Sequence, residues 1–165
     1  MSSSDPIDLA KAHHHFAAAC FNATWDLLLS QDLSPHEDRQ LILTAMASLY
    51  HWTQREDCTD QNYSIGYWQI SRVHAVLGMG AEARRYGELS LAYSGGLEPF
   101  YQGYAHEALA RAAVVLDNLG RAIEHAAEAR ALAAEVANPE TRKWLTDELE
   151  QIDGMIESWG AAAPD

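Results

Sequence analysis

Basic residues are scarce in this chain. Lysine and arginine number 11 against 24 aspartates and glutamates, for a formal net charge of −13. Such a chain repels phosphate backbones and anionic headgroups, which argues against nucleic-acid and membrane partners. A basic or neutral partner stays open, and solubility alone also accounts for the charge. Cysteine is nearly absent: the chain has only Cys20 and Cys58. Cys20 falls in an apolar helical pattern and is expected to be a buried thiol. Cys58 falls in a polar loop, and nothing in their spacing indicates a disulfide. No apolar run is long enough to span a bilayer. The opening Met1-Ser2-Ser3-Ser4-Asp5-Pro6 lacks the basic and apolar segments of a secretory signal, so a cytoplasmic location is expected. β-Branched residues are sparse, and the few prolines and glycines fall between periodic segments. That pattern predicts helices and no strand.

What is present is a chain of 165 residues, 48% hydrophobic, which is about one folded domain. Its spacing predicts about seven helices. The first covers about 7–29, with Leu9, His13, Phe16, Cys20, Ala23 and Leu27 on one face. His14, Ala18, Phe21, Trp25 and Leu28 form a second stripe. The next starts at Ser34-Pro35-His36-Glu37, which supplies a cap, a first-turn proline and a capping-box glutamate. It runs to about 52 or 55 on a face of Ile42, Ala45, Met46, Leu49 and Trp52. Three more are expected at about 63–77, 81–93 and 98–119, and an alanine-rich sixth at 121–137. The third turns inward on Gly66, Ile70, Val73 and Leu77, the fifth on Tyr101, Ala105, Ala108, Ala112, Val115 and Leu119. Asn138-Pro139 opens the last, over about 138–159, on a stripe of Leu145, Leu149, Ile152, Ile156 and Trp159. Residues 1–6 and 160–165 are expected to be flexible ends.

The second half carries a faint internal repeat. Leu77-Gly78-Met79-Gly80-Ala81-Glu82-Ala83 is answered about 40 residues later by Leu119-Gly120-Arg121-Ala122-Ile123. A period in that range marks helix pairs that stack because one pair alone cannot bury its apolar face. Tyr67, Ile70, His74, Leu77-Gly78, Ala83 and Ser90 resemble the pattern of a tetratricopeptide repeat (TPR). Leu109, Leu116, Leu119-Gly120, Ala122, Ala126 and Ala129 resemble a degenerate second copy. Ser71 replaces that family's usual glycine, His74 its tyrosine, and neither copy ends in its proline. The resemblance implies an all-α, right-handed solenoid of antiparallel helix pairs. On that reading 7–55 is an N-terminal pair, 63–137 two repeats and 138–159 a capping helix. It implies a noncatalytic scaffold for a protein or peptide partner, with a homodimer as a related option. Cys20-Phe21-Asn22-Ala23-Thr24-Trp25, Tyr50-His51-Trp52 and Trp68-Gln69-Ile70-Ser71-Arg72 also resemble segments of small bacterial proteins, which implies no activity.

Histidine is the one residue class that suggests chemistry, with 8 in the chain. His13-His14-His15 cannot converge on one ion, because neighbours on a helix point about 100° apart. No HExxH pair, GxSxG, CxxC, phosphate loop or dinucleotide fingerprint occurs. No cofactor is predicted. The alternative is a transition metal held across helices by His13, His14, His51, His74 or His106. Catalytic candidates are His14, His51, His74 and Glu107, with histidine as metal ligand or general base. A pocket between the first three helices would use the four candidate histidines from His13 to His74 with Trp25, Tyr50, Trp52 and Trp68. Phe100, Tyr104, Glu107 and Arg111 form one stripe, which either lines a ligand groove or packs repeats through an i,i+4 ion pair. Trp68 and Arg72 share i,i+4 spacing and suit a cation–π contact. Ligand-binding candidates are therefore Trp25, Tyr50, Trp52, Trp68, Arg72, Tyr104 and Arg111.

Overall fold

A computed structural model describes residues 8–30 and 33–162 of the chain. The segment 1–6 and the last residues, 163–165, lie outside them. Among the described residues there are seven α-helices and no strand. They are α1 (Leu9–Leu28), α2 (Pro35–Thr53), α3 (Asp60–Val76), α4 (Gly80–Ser94), α5 (Pro99–Val115), α6 (Leu119–Glu135) and α7 (Pro139–Ala162). No helix is long and apolar enough to cross a membrane.

Local chemistry sets most boundaries. Ser34 and Glu37 form the expected capping box on α2. Asn62 Oδ1 accepts from the Thr59 backbone N–H at 2.9 Å, so α3 begins three residues before the expected Tyr63. Asn138 Oδ1 accepts from the N–H groups of Glu140 and Thr141 and starts α7. That helix also continues to Ala162, past the expected end at Trp159.

The repeat is real, but its register differs from the Leu-Gly match. Gly78 takes the left-handed conformation that ends α3, with φ +72°. Its counterpart is Asp117, with φ +55°, and not Gly120. The bonds agree: Met79 and Asn118 donate to the carbonyls of His74 and Ala113, five residues back in each turn. Aspartate is one of the few non-glycine residues that tolerates this conformation. Asn118 then caps α6 by accepting from the Arg121 N–H. So α5 stops at Val115, short of the expected 119, and Leu119-Gly120 opens the next helix. The true offset is 39 residues, the same that separates Trp68 from Glu107.

The pairs stack through small residues. Each of α1–α2, α3–α4 and α5–α6 packs as a hairpin, α2 meets α3, α4 meets α5, and α7 covers α5 and α6. Buried serines fasten two hairpins: Ser48 Oγ donates to the Ala17 carbonyl, Ser71 Oγ to Ala83 and Ser90 Oγ to Ser64. Leu41, Ala45, Leu49, Ile70 and Val73 form one core cluster. Ala110, Ala126, Ala129, Ala133, Leu145, Leu149 and Ile152 form another. Odd helices also meet one another. α3 contacts α5, α5 contacts α7, and Gln69 Nε2 of α3 donates to the Phe21 carbonyl of α1. The odd helices thus share one side of the stack.

Burial on α1 departs from the expected faces. Leu9 is 67% exposed and Phe16 46%, while Ala17 and Thr24 are buried. Among the described residues α1 packs toward α2 and α3, so its inward face is narrow. Cys20 is therefore only half-buried, although burial still pushes its thiol up.

Candidate functional site

The odd helices carry parallel stripes of functional side chains. On α3, Ile65, Trp68 and Arg72 fall at helical spacing; on α5, Phe100, Tyr104, Glu107 and Arg111 do. On α7 the stripe is Trp144, Glu148, Gln151 and Met155, and α1 contributes Phe21 and Trp25.

Glu107 lies at the centre, with its side chain 1% exposed. Its Oε2 accepts from Trp68 Nε1 at 2.8 Å. Its Oε1 accepts from Arg111 Nε at 2.9 Å and lies 3.4 Å from Arg72 Nη1. Both guanidiniums also reach Glu148 Oε2, Arg72 at 2.5 Å and Arg111 at 3.1 Å. Two cations and two carboxylates cancel, as buried charges must. The network joins α3, α5 and α7. Every Glu107 oxygen is engaged, so this carboxylate acts as a fastener and not as a free base.

Aromatic rings sit over this network. Trp68 meets Tyr104 edge-on at 4.9 Å, Tyr104 meets Phe100 at 4.9 Å, and Trp25 lies 5.6 Å from Trp68. The Arg72 guanidinium lies over Trp25 at 6.0 Å, so its cation–π partner is Trp25 rather than the expected Trp68. Burial, with Glu148 and Glu107 close by, pushes the Tyr104 phenol far up and keeps it neutral. Phe21, Trp25, Ile65, Trp68, Phe100, Tyr104 and Trp144 line an open cleft of ≈ 350 Å³. Phe21 and Ile65 also wall a second cavity of ≈ 220 Å³ that reaches Asn22, Asn62 and Trp52. Phe100, Tyr101 and Trp144 wall a third of ≈ 510 Å³ that reaches Glu98 and Glu135. The three cavities adjoin through these shared wall residues and follow one another past α1, α3, α5 and α7.

No protein-family model, curated protein or solved structure matches this chain. The geometry therefore carries the functional reading by itself.

Of the expected ligand-binding residues, Trp25, Trp68, Arg72, Tyr104 and Arg111 come together here. Trp52 lines the adjoining cavity and lies 3.8 Å beneath Arg55. Tyr50 lies apart, largely exposed, 6.2 Å from His13. The histidines do not gather into a pocket between the first three helices. His13 and His51 meet at 2.8 Å between their Nδ1 atoms, and His13 also lines a cavity with the exposed His14, Arg55 and Asp57, away from the aromatic cleft. His74 is buried elsewhere, with Nδ1 against the Ile70 carbonyl and its ring 5.2 Å from Tyr86. Their positions follow from helix phase, since adjacent residues diverge by about 100°. His106 meets His125, a partner the sequence reading missed, at 3.1 Å. Among the described residues, no group of three or more His, Cys, Asp or Glu side chains converges as a metal site requires. Glu148 and Trp144 were also missed as site residues. The one signal in the sequence is that both fall at helical spacing beside the apolar stripe of α7.

The His106–His125 pair gives a pH prediction. Burial holds both rings below the ordinary 6.5, and His106 adds to the effect at His125, while Glu128 opposes it. The fold therefore prefers them neutral. As pH falls, the unfolded chain binds protons first and is favoured. The pair's contribution is full above 6.5 and is lost as pH falls from there through the lowered folded values. Urea unfolding at about pH 7.5 and 5.5 should show a loss at the lower pH that a His106→Phe/His125→Phe variant reduces. An equal loss in both proteins would contradict this.

Proposed function

We propose that this chain is a noncatalytic helical-repeat binding module, built like a TPR stack, that holds a segment of another protein along its odd helices. The observation that carries this reading is the row of three adjoining cavities that share aromatic walls. An elongated channel suits an extended peptide, which advances about 3.3 Å per residue, better than one compact molecule. The large rings supply contact area at little conformational cost, as they do at binding hot spots. The buried ion-pair network beneath them fixes Trp68 and the arginines in place before any partner arrives, which lowers the ordering cost of binding.

Trp144 offers the test, because its side chain is 50% exposed and walls two of the cavities. Trp144→Glu is expected to change stability by less than about 1 kcal/mol, since surface substitutions seldom cost more. It places a charge in an apolar channel, so it should remove binding. Capture from native lysate should recover a stoichiometric protein with the wild type and lose it with the variant. Recovery of the same set by both would count against the groove.

A further inference from the structure

Charge is distributed unevenly along the groove. The central cleft is almost wholly apolar and aromatic. The cavity at the Asn22 and Asn62 end has no charged lining residue. The cavity at the other end, where α5, α6 and α7 meet, has Glu98 and Glu135. Both are exposed, and neither meets a basic side chain among the described residues. The guanidinium of Arg142, in the first turn of α7, is turned to the Val136 carbonyl at 2.7 Å and 2.9 Å. The N-termini of α5 and α7 also border this cavity, and helix ends favour anions with about half a charge each. The charged side chains that line the cavity itself are both carboxylates. The field of Glu98 is felt locally, since it adds to burial in pushing the Tyr101 phenol up. Aromatic faces beside the carboxylates favour a cation further.

We infer that the groove recognises an extended peptide segment with a large apolar residue in the central cleft and a lysine or arginine a few residues away, facing Glu98 and Glu135. This rests on the peptide-binding reading above and adds the partner's chemistry and its direction in the groove. Phe100, Tyr101 and Trp144 border both cavities, so one short segment reaches both. The apolar residue provides most of the affinity and the basic residue sets orientation and specificity. The scarcity of basic residues in the chain as a whole agrees with a cationic partner.

The test is to pan a phage-displayed library of random nonapeptides against the wild-type protein. Enriched peptides should pair Lys or Arg with Leu, Phe or Trp two to four residues away. A synthetic peptide of that kind should bind about tenfold more weakly to Glu98→Gln/Glu135→Gln, and the difference should shrink in high salt. Apolar peptides without a basic bias, or equal affinity for that variant, would overturn the charge inference and leave the groove reading intact. If no enriched peptide is sensitive to Trp144→Glu, both fail. A dimer in sedimentation that Trp144→Glu breaks would assign the groove to a second copy and overturn the inference as well.

Discussion

Glu107→Ala is expected to lose about 3–5 kcal/mol of stability, the cost of stripping one partner from a buried ion-pair network. At roughly 2–4 °C per kcal/mol for a chain of this size, the melting point should fall by about 6–20 °C. The cause is what remains. Arg72 and Arg111 both face Glu107 Oε1, and without it they share only Glu148. Trp68 Nε1 loses its acceptor too. Glu148→Ala should cost less, because that side chain is 18% exposed against 1% for Glu107. A second change separates charge from packing. Removing the stranded cation in Glu107→Leu/Arg111→Met should restore part of the loss of Glu107→Leu, because contacting residues are not additive. Thermal unfolding by circular dichroism reads all four variants. A loss below about 1 kcal/mol for Glu107→Ala would mean that the network does not hold α3, α5 and α7 together.

Leu145→Ala should cost about 2–5 kcal/mol, as for other wholly buried leucines. Its setting gives a sharper expectation. Gly103 on α5 faces it, and a Cβ there would lie 2.5 Å from Leu145 Cδ2. Gly103→Ala alone crowds Leu145, at about 1–3 kcal/mol, against a helix-propensity gain of about 1 kcal/mol. In the double variant the leucine is gone and the new methyl enters the space it leaves. Gly103→Ala/Leu145→Ala should therefore be more stable than Leu145→Ala, although each change alone is unfavourable. Urea unfolding of the three proteins decides this. A double variant as unstable as the sum of the singles would show that the two positions do not touch.

The fold was legible where local rules act alone. The Ser34 capping box, the Asn138-Pro139 start and the Leu145, Leu149, Ile152 stripe are each decided within a turn or two of chain. The α5–α6 turn was misread because glycine is the usual left-handed residue, and Gly120 stands three positions after the aspartate that takes that role. The histidines misled for a different reason. Count and apolar neighbours do not fix helix phase, so His13 meets His51 and His106 meets His125, with no larger metal-binding cluster among the described residues. The Phe100, Tyr104, Glu107, Arg111 stripe was visible on its own helix. Glu148, Gln151 and Trp144, which complete it, lie on another helix, with Glu148 37 residues beyond Arg111. Spacing within one helix says nothing about that juxtaposition, which comes from the packing of α7 against α5.

The odd-helix groove as a peptide site is tested most directly by photo-crosslinking. A photoreactive phenylalanine analogue would replace Trp144 in the groove, and in a second protein Ile123, an exposed apolar residue on α6. Irradiation in native lysate should give a discrete protein adduct from position 144 that position 123 does not give. No adduct from 144, or the same adducts from both positions, would contradict a binding groove on the odd helices.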